Sequence, residues 1–149
     1  MKKPMVLIIC TGNACRSQMA EAFLREAAGE AVEVASAGSN PAGMVHPRVR
    51  EVMAEKGFDL RGAKSQHMDE YLDREVAVVI TVCDAADETC PTYPGQVQRY
   101  HWPFKDPIRV VGTEEMILEA FRRSRDEIET VFTLYGLGLA DGLGWERSD

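Results

Sequence analysis

Apolar positions along the chain follow two rhythms. Residues 5–9 form an unbroken apolar run (Met-Val-Leu-Ile-Ile), the pattern of a strand buried on both faces. Residues 32–36 and 97–101 are weaker strand-like runs, whereas residues 76–82 are the strongest, with four valines and one isoleucine in seven positions. Between the runs the spacing turns helical. Met19, Ala20, Phe23, Leu24 and Ala27 repeat on one face, and Gly29 is suited to end that helix. A turn-rich stretch with Gly38, Asn40, Pro41 and Gly43 leads to a helix expected over 47–56, started at His46-Pro47 and stopped at Gly57. The last helix is long, with Ile117, Ala120, Phe121, Ser124, Ile128, Val131, Phe132 and Tyr135 on one stripe. Thr113 is positioned to cap it, and Glu114 and Glu115 suit its positive end. The glycine-rich tail from Gly136 reads as irregular. Strands alternating with helices predict an α/β fold spanning residues 1–149 as one domain: a small doubly wound, four-stranded parallel sheet flanked by helices, in flavodoxin-like order.

Composition narrows the possible activities. A chain of 149 residues that is 45% hydrophobic can bury a sizeable core. Its formal charge of −7 argues against binding to nucleic acid, which needs a basic face. No apolar run approaches the roughly 20 residues that span a bilayer. Lys2 and Lys3 precede an apolar stretch too short for a signal peptide, so a cytoplasmic monomer is expected, with no membrane partner. In a reducing compartment, Cys10, Cys15, Cys83 and Cys90 point to catalysis, redox cycling or metal binding rather than structural disulfides. No Cys-x-x-Cys pair is present, and His46, His67 and His101 have no ligand spacing with the cysteines, so neither a metal nor a cofactor is expected.

In such sheets the chemistry gathers at the carboxyl ends of the strands. The first strand feeds Cys10-Thr11-Gly12-Asn13-Ala14-Cys15-Arg16-Ser17 and then a helix. Backbone N–H groups curling into a helix N-terminus suit a tetrahedral oxyanion. Gly12 and Asn13 are expected to take the positive φ values that such a curl needs, and Arg16 adds a planar fork for two oxygens. Cys10 lies at the base of that cradle with Ser17 as a hydrogen-bond partner, a setting for a sulfur nucleophile. A cysteine that merely packs at a strand end would not need those neighbours. Cys15 reads instead as a packing residue. The loop matches neither Gly-x4-Gly-Lys-Ser/Thr nor Gly-x-Gly-x-x-Gly, so it is not a nucleotide cradle.

Cys83 ends the strongest strand, and Cys90 follows seven positions later. If the third strand lies beside the first, Cys10 and Cys83 end neighbours roughly 4.8 Å apart, within bridging reach once loops adjust. The residues between Cys83 and Cys90 suit a short helix, which would hold the two Cα atoms about 10.5 Å apart. A disulfide tolerates about 7 Å, so bridging that pair requires the segment to unwind. Three thiols so arranged make a relay in which Cys83 attacks Cys10 and Cys90 then attacks Cys83. The alternative is two unrelated cysteines, one buried and one exposed. After the fourth strand, Trp102-Pro103-Phe104-Lys105-Asp106-Pro107 holds Asp106 at the same edge, either as a proton donor to a leaving oxygen or as an ordinary turn aspartate. His46 reads as a helix start, and His67 and His101 as solvated or half-buried positions without a catalytic role.

The sequence resembles the thioredoxin-coupled arsenate reductases, built on the low-molecular-weight tyrosine phosphatase fold. The resemblance rests on Cys-Thr-Gly-Asn-Ala-Cys-Arg-Ser-Gln-Met-Ala-Glu (10–21), Ala-Ser-Ala-Gly (35–38), the Cys83/Cys90 pair and Asp106-Pro107, and it covers nearly all of residues 5–135. It implies that Cys10 attacks arsenate, that residues 11–17 and Arg16 bind its oxygens, with phosphate or sulfate as analogues, and that Asp106 protonates the departing hydroxyl. It further implies that Cys83 displaces arsenite as a Cys10–Cys83 disulfide, and that Cys90 turns this into a Cys83–Cys90 disulfide reduced by thioredoxin. Relatives with a monovalent-cation site use positions matching Asn13, Glu21 and Ser36, plus a carboxylate after the serine matching Ser65. Here that carboxylate is replaced by Gln66, which counts against a potassium site. Residues 108–113 and the tail from Leu137 look like additions.

Two rivals remain. A tyrosine phosphatase would use Cys10, Arg16 and Asp106 but has no need of Cys83 and Cys90, and its relatives usually carry a tyrosine pair where this chain has Ile108 and Arg109. A phosphocarrier domain holding a phosphocysteine would require neither the loop arginine nor a second thiol pair.

Overall fold

A computed structural model of the chain describes residues 3–84 and 90–143. The strands are β1 (Met5–Cys10), β2 (Glu33–Gly38), β3 (Val76–Thr81) and β4 (Gln98–His101), and the α-helices are α1 (Arg16–Ala28), α2 (Pro47–Ala54) and α3 (Glu114–Ala140). The sheet is parallel throughout, in the order β2-β1-β3-β4. Every residue of β1 is buried, as its continuous apolar run requires of a central strand.

Strand alternation divides the core. Val6, Ile8, Val78 and Ile80 face Met19 and Phe23 of α1, Val52 and Met53 of α2, and Phe121, Ile128 and Phe132 of α3. Met5, Leu7, Ile9 and Val79 face the other way, onto Met68, Tyr71 and Tyr93. Among the described residues, all three α-helices therefore cover one face, and the short 3-10 turn Met68–Tyr71 helps to close the other.

Helix boundaries follow the local chemistry. Gly29 ends α1 with φ of 56°, a value that glycine adopts without penalty. His46 caps α2, its Nδ1 accepting the Arg48 amide at 3.1 Å ahead of Pro47. Thr113 Oγ1 accepts the Met116 amide at 3.2 Å at the start of α3. The tail departs from expectation, because α3 continues through Gly136 and Gly138 to Ala140. Gly136 explains why: a Cβ built there would sit 2.6 Å from Ala27 Cβ and 3.0 Å from the Ala28 nitrogen. The missing side chain lets α3 press onto α1, and that packing outweighs glycine's low helix propensity. The short helix expected between Cys83 and Cys90 falls on residues 85–89, and the last part of the tail on 144–149, both outside the described residues.

Register aligns the carboxyl ends of the strands. Cys10 pairs with Gly38, Ile9 with Thr81, and Thr81 with His101. The loops that leave this edge build the site.

Candidate active site

The loop from β1 to α1 is shaped by one residue in the left-handed region. Asn13 has φ of 48°, the only positive φ at a non-glycine among the described residues. The expectation for Gly12 is corrected, because it is not among the positive-φ glycines. A Cβ at Gly12 would meet nothing within 4 Å, so this glycine leaves the cavity open rather than making the turn. Asn13 holds its unusual backbone through its own amide: Nδ2 donates to Ser17 Oγ and to Ser36 Oγ, each at 2.9 Å, and Oδ1 accepts the Gln66 N–H at 2.9 Å.

Cys10 lies at the floor of this loop, 2% exposed. Its Sγ is 3.0 Å from Ser17 Oγ and accepts the Asn13 backbone N–H at 3.3 Å. Helix α1 starts at Arg16 behind Cys15, which gives it no side-chain cap, and its first turn holds no acid, so its positive end faces the loop. Arg16, 4% exposed, donates from one terminal nitrogen to the Phe104 carbonyl at 3.1 Å and sets the other 3.5 Å from Asp106 Oδ2. Asp106 Oδ1 accepts the Ile108 N–H at 3.1 Å, so the aspartate both makes its proline turn and faces the arginine. A cavity of about 270 Å³ joins these parts, lined by residues 10–16 with Asn40, Asp106, Ile108 and Arg109. That volume lies near the small end of ligand sites and suits a compact anion.

Cys15 is buried in the core. Burial, and then the negative charges of Asp106 and Cys10, push its thiol well above the ordinary range, with Arg16 opposing only in part. It stays a protonated, packing thiol. Cys83 lies two residues past β3, fully buried in the cluster that also contains Cys10, and so on the same face of the sheet. It is bonded to Cys90 in a disulfide whose Cα atoms are 5.8 Å apart.

Other expected positions are committed to structure. Glu21 pairs with Arg25 at 3.0 Å, Ser36 receives Asn13 Nδ2, and the Gln66 side chain accepts from Tyr71 at 3.3 Å. His46 caps α2 and lies against Phe121, with ring centroids 5.0 Å apart. Burial and the nearby Arg48 charge hold its pKa below the usual histidine value, although Asp106 pulls the other way. His67 caps the Met68–Tyr71 turn in a reciprocal box with Glu70. Residues 108–113 begin with the 3-10 turn Pro107–Arg109, which brings Ile108 and Arg109 to the cavity mouth.

Three supporting residues escape the sequence reading. Gln18 is buried and donates Nε2 to the Asn13 and Lys64 carbonyls, tying the loop to the 60s. A polar residue on the buried face of α1 was the available signal. Ser65 Oγ donates to the Gly12 carbonyl at 3.1 Å. His101 sits beside the disulfide, with Nδ1 2.6 Å from Thr81 Oγ1. The nineteen residues between Thr81 and His101 hide that meeting from any spacing rule.

A parallel four-stranded sheet with a cysteine and an arginine on the cavity-lining loop after its first strand defines the class. The chain belongs to the low molecular weight phosphotyrosine protein phosphatase family, whose model matches residues 5–136. Within that family it is 40% identical over 128 residues to the arsenate reductase of Halalkalibacterium halodurans, covering 86% of this chain and 91% of that one. It matches the structure of an arsenate reductase in oxidized state at TM-score 0.75 and 27% identity, covering 93% of this chain and 99% of the other. The thioredoxin-dependent arsenate reductase of Corynebacterium glutamicum superposes with TM-score 0.58 and 33% identity, over 91% of this chain and 64% of that one.

Proposed function

We propose that this chain is an arsenate reductase working through a three-thiol relay regenerated by thioredoxin in the cytoplasm, as a monomer. The reading is carried by the Cys83–Cys90 disulfide at the same face and edge of the sheet as Cys10. An enzyme that only cleaved phosphate esters would have no use for that pair. The names of the relatives support the same substrate.

The loop amides and Arg16 bind the oxygens of arsenate, and the Cys10 thiolate attacks arsenic. Asp106 gives its proton to the departing oxygen, which leaves as water. Cys83 then attacks the Cys10 sulfur as a thiolate. The sulfur–arsenic electron pair stays with arsenic, which leaves as arsenite, and a Cys10–Cys83 disulfide forms. Cys90 attacks Cys83, restores the Cys10 thiolate and leaves Cys83–Cys90 for a thioredoxin dithiol to reduce. Two electrons thus pass from thioredoxin to arsenic in each cycle. A tyrosine phosphatase reading is supported by the family match and by Cys10, Arg16 and Asp106, and it differs in needing neither Cys83 nor Cys90.

The test supplies arsenate, thioredoxin, its reductase and NADPH. Arsenate-dependent NADPH consumption is expected, and its absence alongside p-nitrophenyl phosphate hydrolysis would favour the phosphatase. Cys83→Ser should abolish multiple-turnover arsenite release while slow p-nitrophenyl phosphate hydrolysis persists. Cys90→Ser should accumulate the Cys10–Cys83 link, readable by mass spectrometry of peptides.

A further inference from the structure

A second cluster of soft ligands lies outside the oxyanion cavity. Sulfur atoms of Cys83 and Cys90 and a ring nitrogen of His101 all fall within 4.8 Å of one another. His101 is exposed and Cys90 half-buried, so the cluster opens to solvent on one side although Cys83 is fully buried. The Thr81 hydroxyl holds His101 Nδ1 at 2.6 Å. Metal-binding histidines are commonly oriented by such a partner on one ring nitrogen, which leaves the other for the metal. A cavity of about 290 Å³, lined by Thr81, Pro91, Thr92, Tyr93, Arg99 and His101 among others, adjoins the imidazole and offers a way in.

We propose that the dithiol form of this chain binds Zn²⁺ through Cys83, Cys90 and His101, with water as the fourth ligand. Two thiolates and an imidazole are the donor set of open tetrahedral zinc sites, with sulfur at about 2.3 Å and nitrogen at about 2.0 Å from the metal. Those lengths put the ligand atoms roughly 3.3–3.8 Å apart, so the triad closes slightly around zinc while the two sulfurs separate from bonding distance. Zinc binding to the two thiols releases two protons and forms two Zn–S bonds and one Zn–N bond. The site exists only after reduction, because a disulfide sulfur carries no thiolate. Zinc held there withdraws both sulfurs of the pair from thiol–disulfide exchange. The inference needs only a reducible pair and stands whatever the oxyanion cavity binds.

The probe is Zn²⁺ itself, with Co²⁺ as its spectroscopic substitute. Chain carrying Cys10→Ser and Cys15→Ser retains only the two thiols of the pair. It is reduced with a phosphine, which becomes the phosphine oxide while water supplies the oxygen and the two thiol protons, and is then freed of reagent under argon. One equivalent of Zn²⁺ is expected in competition with a chromophoric chelator, together with a thiolate-to-cobalt charge-transfer band and slower reoxidation by oxidised glutathione. The disulfide form should bind none. His101→Ala and His101→Gln, at an exposed position, should each weaken binding roughly tenfold or more, and Thr81→Val by a smaller factor. In the unsubstituted chain the same site is read as the equivalent lost on Cys83→Ser. Equal retention of zinc by the reduced and disulfide forms, or affinity unchanged by both His101 substitutions, overturns the proposal.

Discussion

Asn13 concentrates the local problem that the loop from β1 to α1 must solve. The left-handed region costs an L-residue about 1 kcal/mol or more, and asparagine reduces that cost by bonding to its surroundings. Here its side chain ties β2, α1 and the 60s loop to one point through Ser36, Ser17 and Gln66. Gly38 supports the same loop by absence. A Cβ there would lie 2.4 Å from the Thr11 carbonyl oxygen, a backbone atom that can retreat only by moving the loop. Gly38→Ala should therefore destabilise the fold by about 1–3 kcal/mol. It should also raise the KM for arsenate if the cavity that Thr11 lines binds substrate as proposed; an unchanged Tm and KM would show that the loop yields freely. The residue types at 10–17 were legible as a tight loop between strand and helix, but the division of labour between Gly12 and Asn13 was not. Both residues tolerate positive φ, and only the neighbours of Asn13 select it.

At the scale of elements, strand positions follow from apolar runs to within a residue or two. Burial on both faces leaves few alternatives for residues 5–9 or 76–82. Helix α3 behaves differently. Its glycines read as breakers, yet Gly136 is buried where α3 crosses α1 and Gly138 lies in more open space. Gly136→Ala should lose stability despite alanine's higher propensity, because its Cβ would meet Ala27 Cβ at 2.6 Å and the Ala28 nitrogen at 3.0 Å. Gly138→Ala, whose nearest neighbour would be Leu143 Cβ at 3.9 Å, should gain up to about 1 kcal/mol. Thermal denaturation of the two variants side by side checks the contrast. Equal shifts would mean that the α1–α3 contact does not depend on a bare backbone.

For the whole molecule, α2 and α3 are joined at Glu55. Its carboxylate receives Arg122 Nε and a terminal nitrogen at 3.0 and 2.7 Å, and buried Arg125 at 2.7 Å, while Arg125 also reaches the Val52 carbonyl. Hydrogen bonds from Arg122 and then Arg125 hold the Glu55 pKa down at about 2, below the ordinary carboxylate value of 4.5. A carboxylate depressed in the folded state stabilises the fold above its unfolded pKa, and that contribution fades as pH falls from near 4.5 through about 2. Glu55→Gln should thus lower Tm at pH 7, with the gap from the parent closing towards pH 2. A gap that persists at pH 2 would assign the loss to packing rather than charge.

The amino-acid sequence by itself determined the order of strands and long helices and placed the loop from Cys10 to Ser17 and the Asp106 turn at one edge of the sheet, while the approach of Arg16 to Asp106 at 3.5 Å came only with the fold. Those features are written in local periodicity and in the residue types that end strands and start helices. Tertiary structure alone decided which face Cys83 occupies, how far α3 extends, and that His101 stands beside the disulfide. Each of these depends on strand register or on two backbones meeting across twenty or more residues, and neighbouring positions in the chain carry no record of such distances.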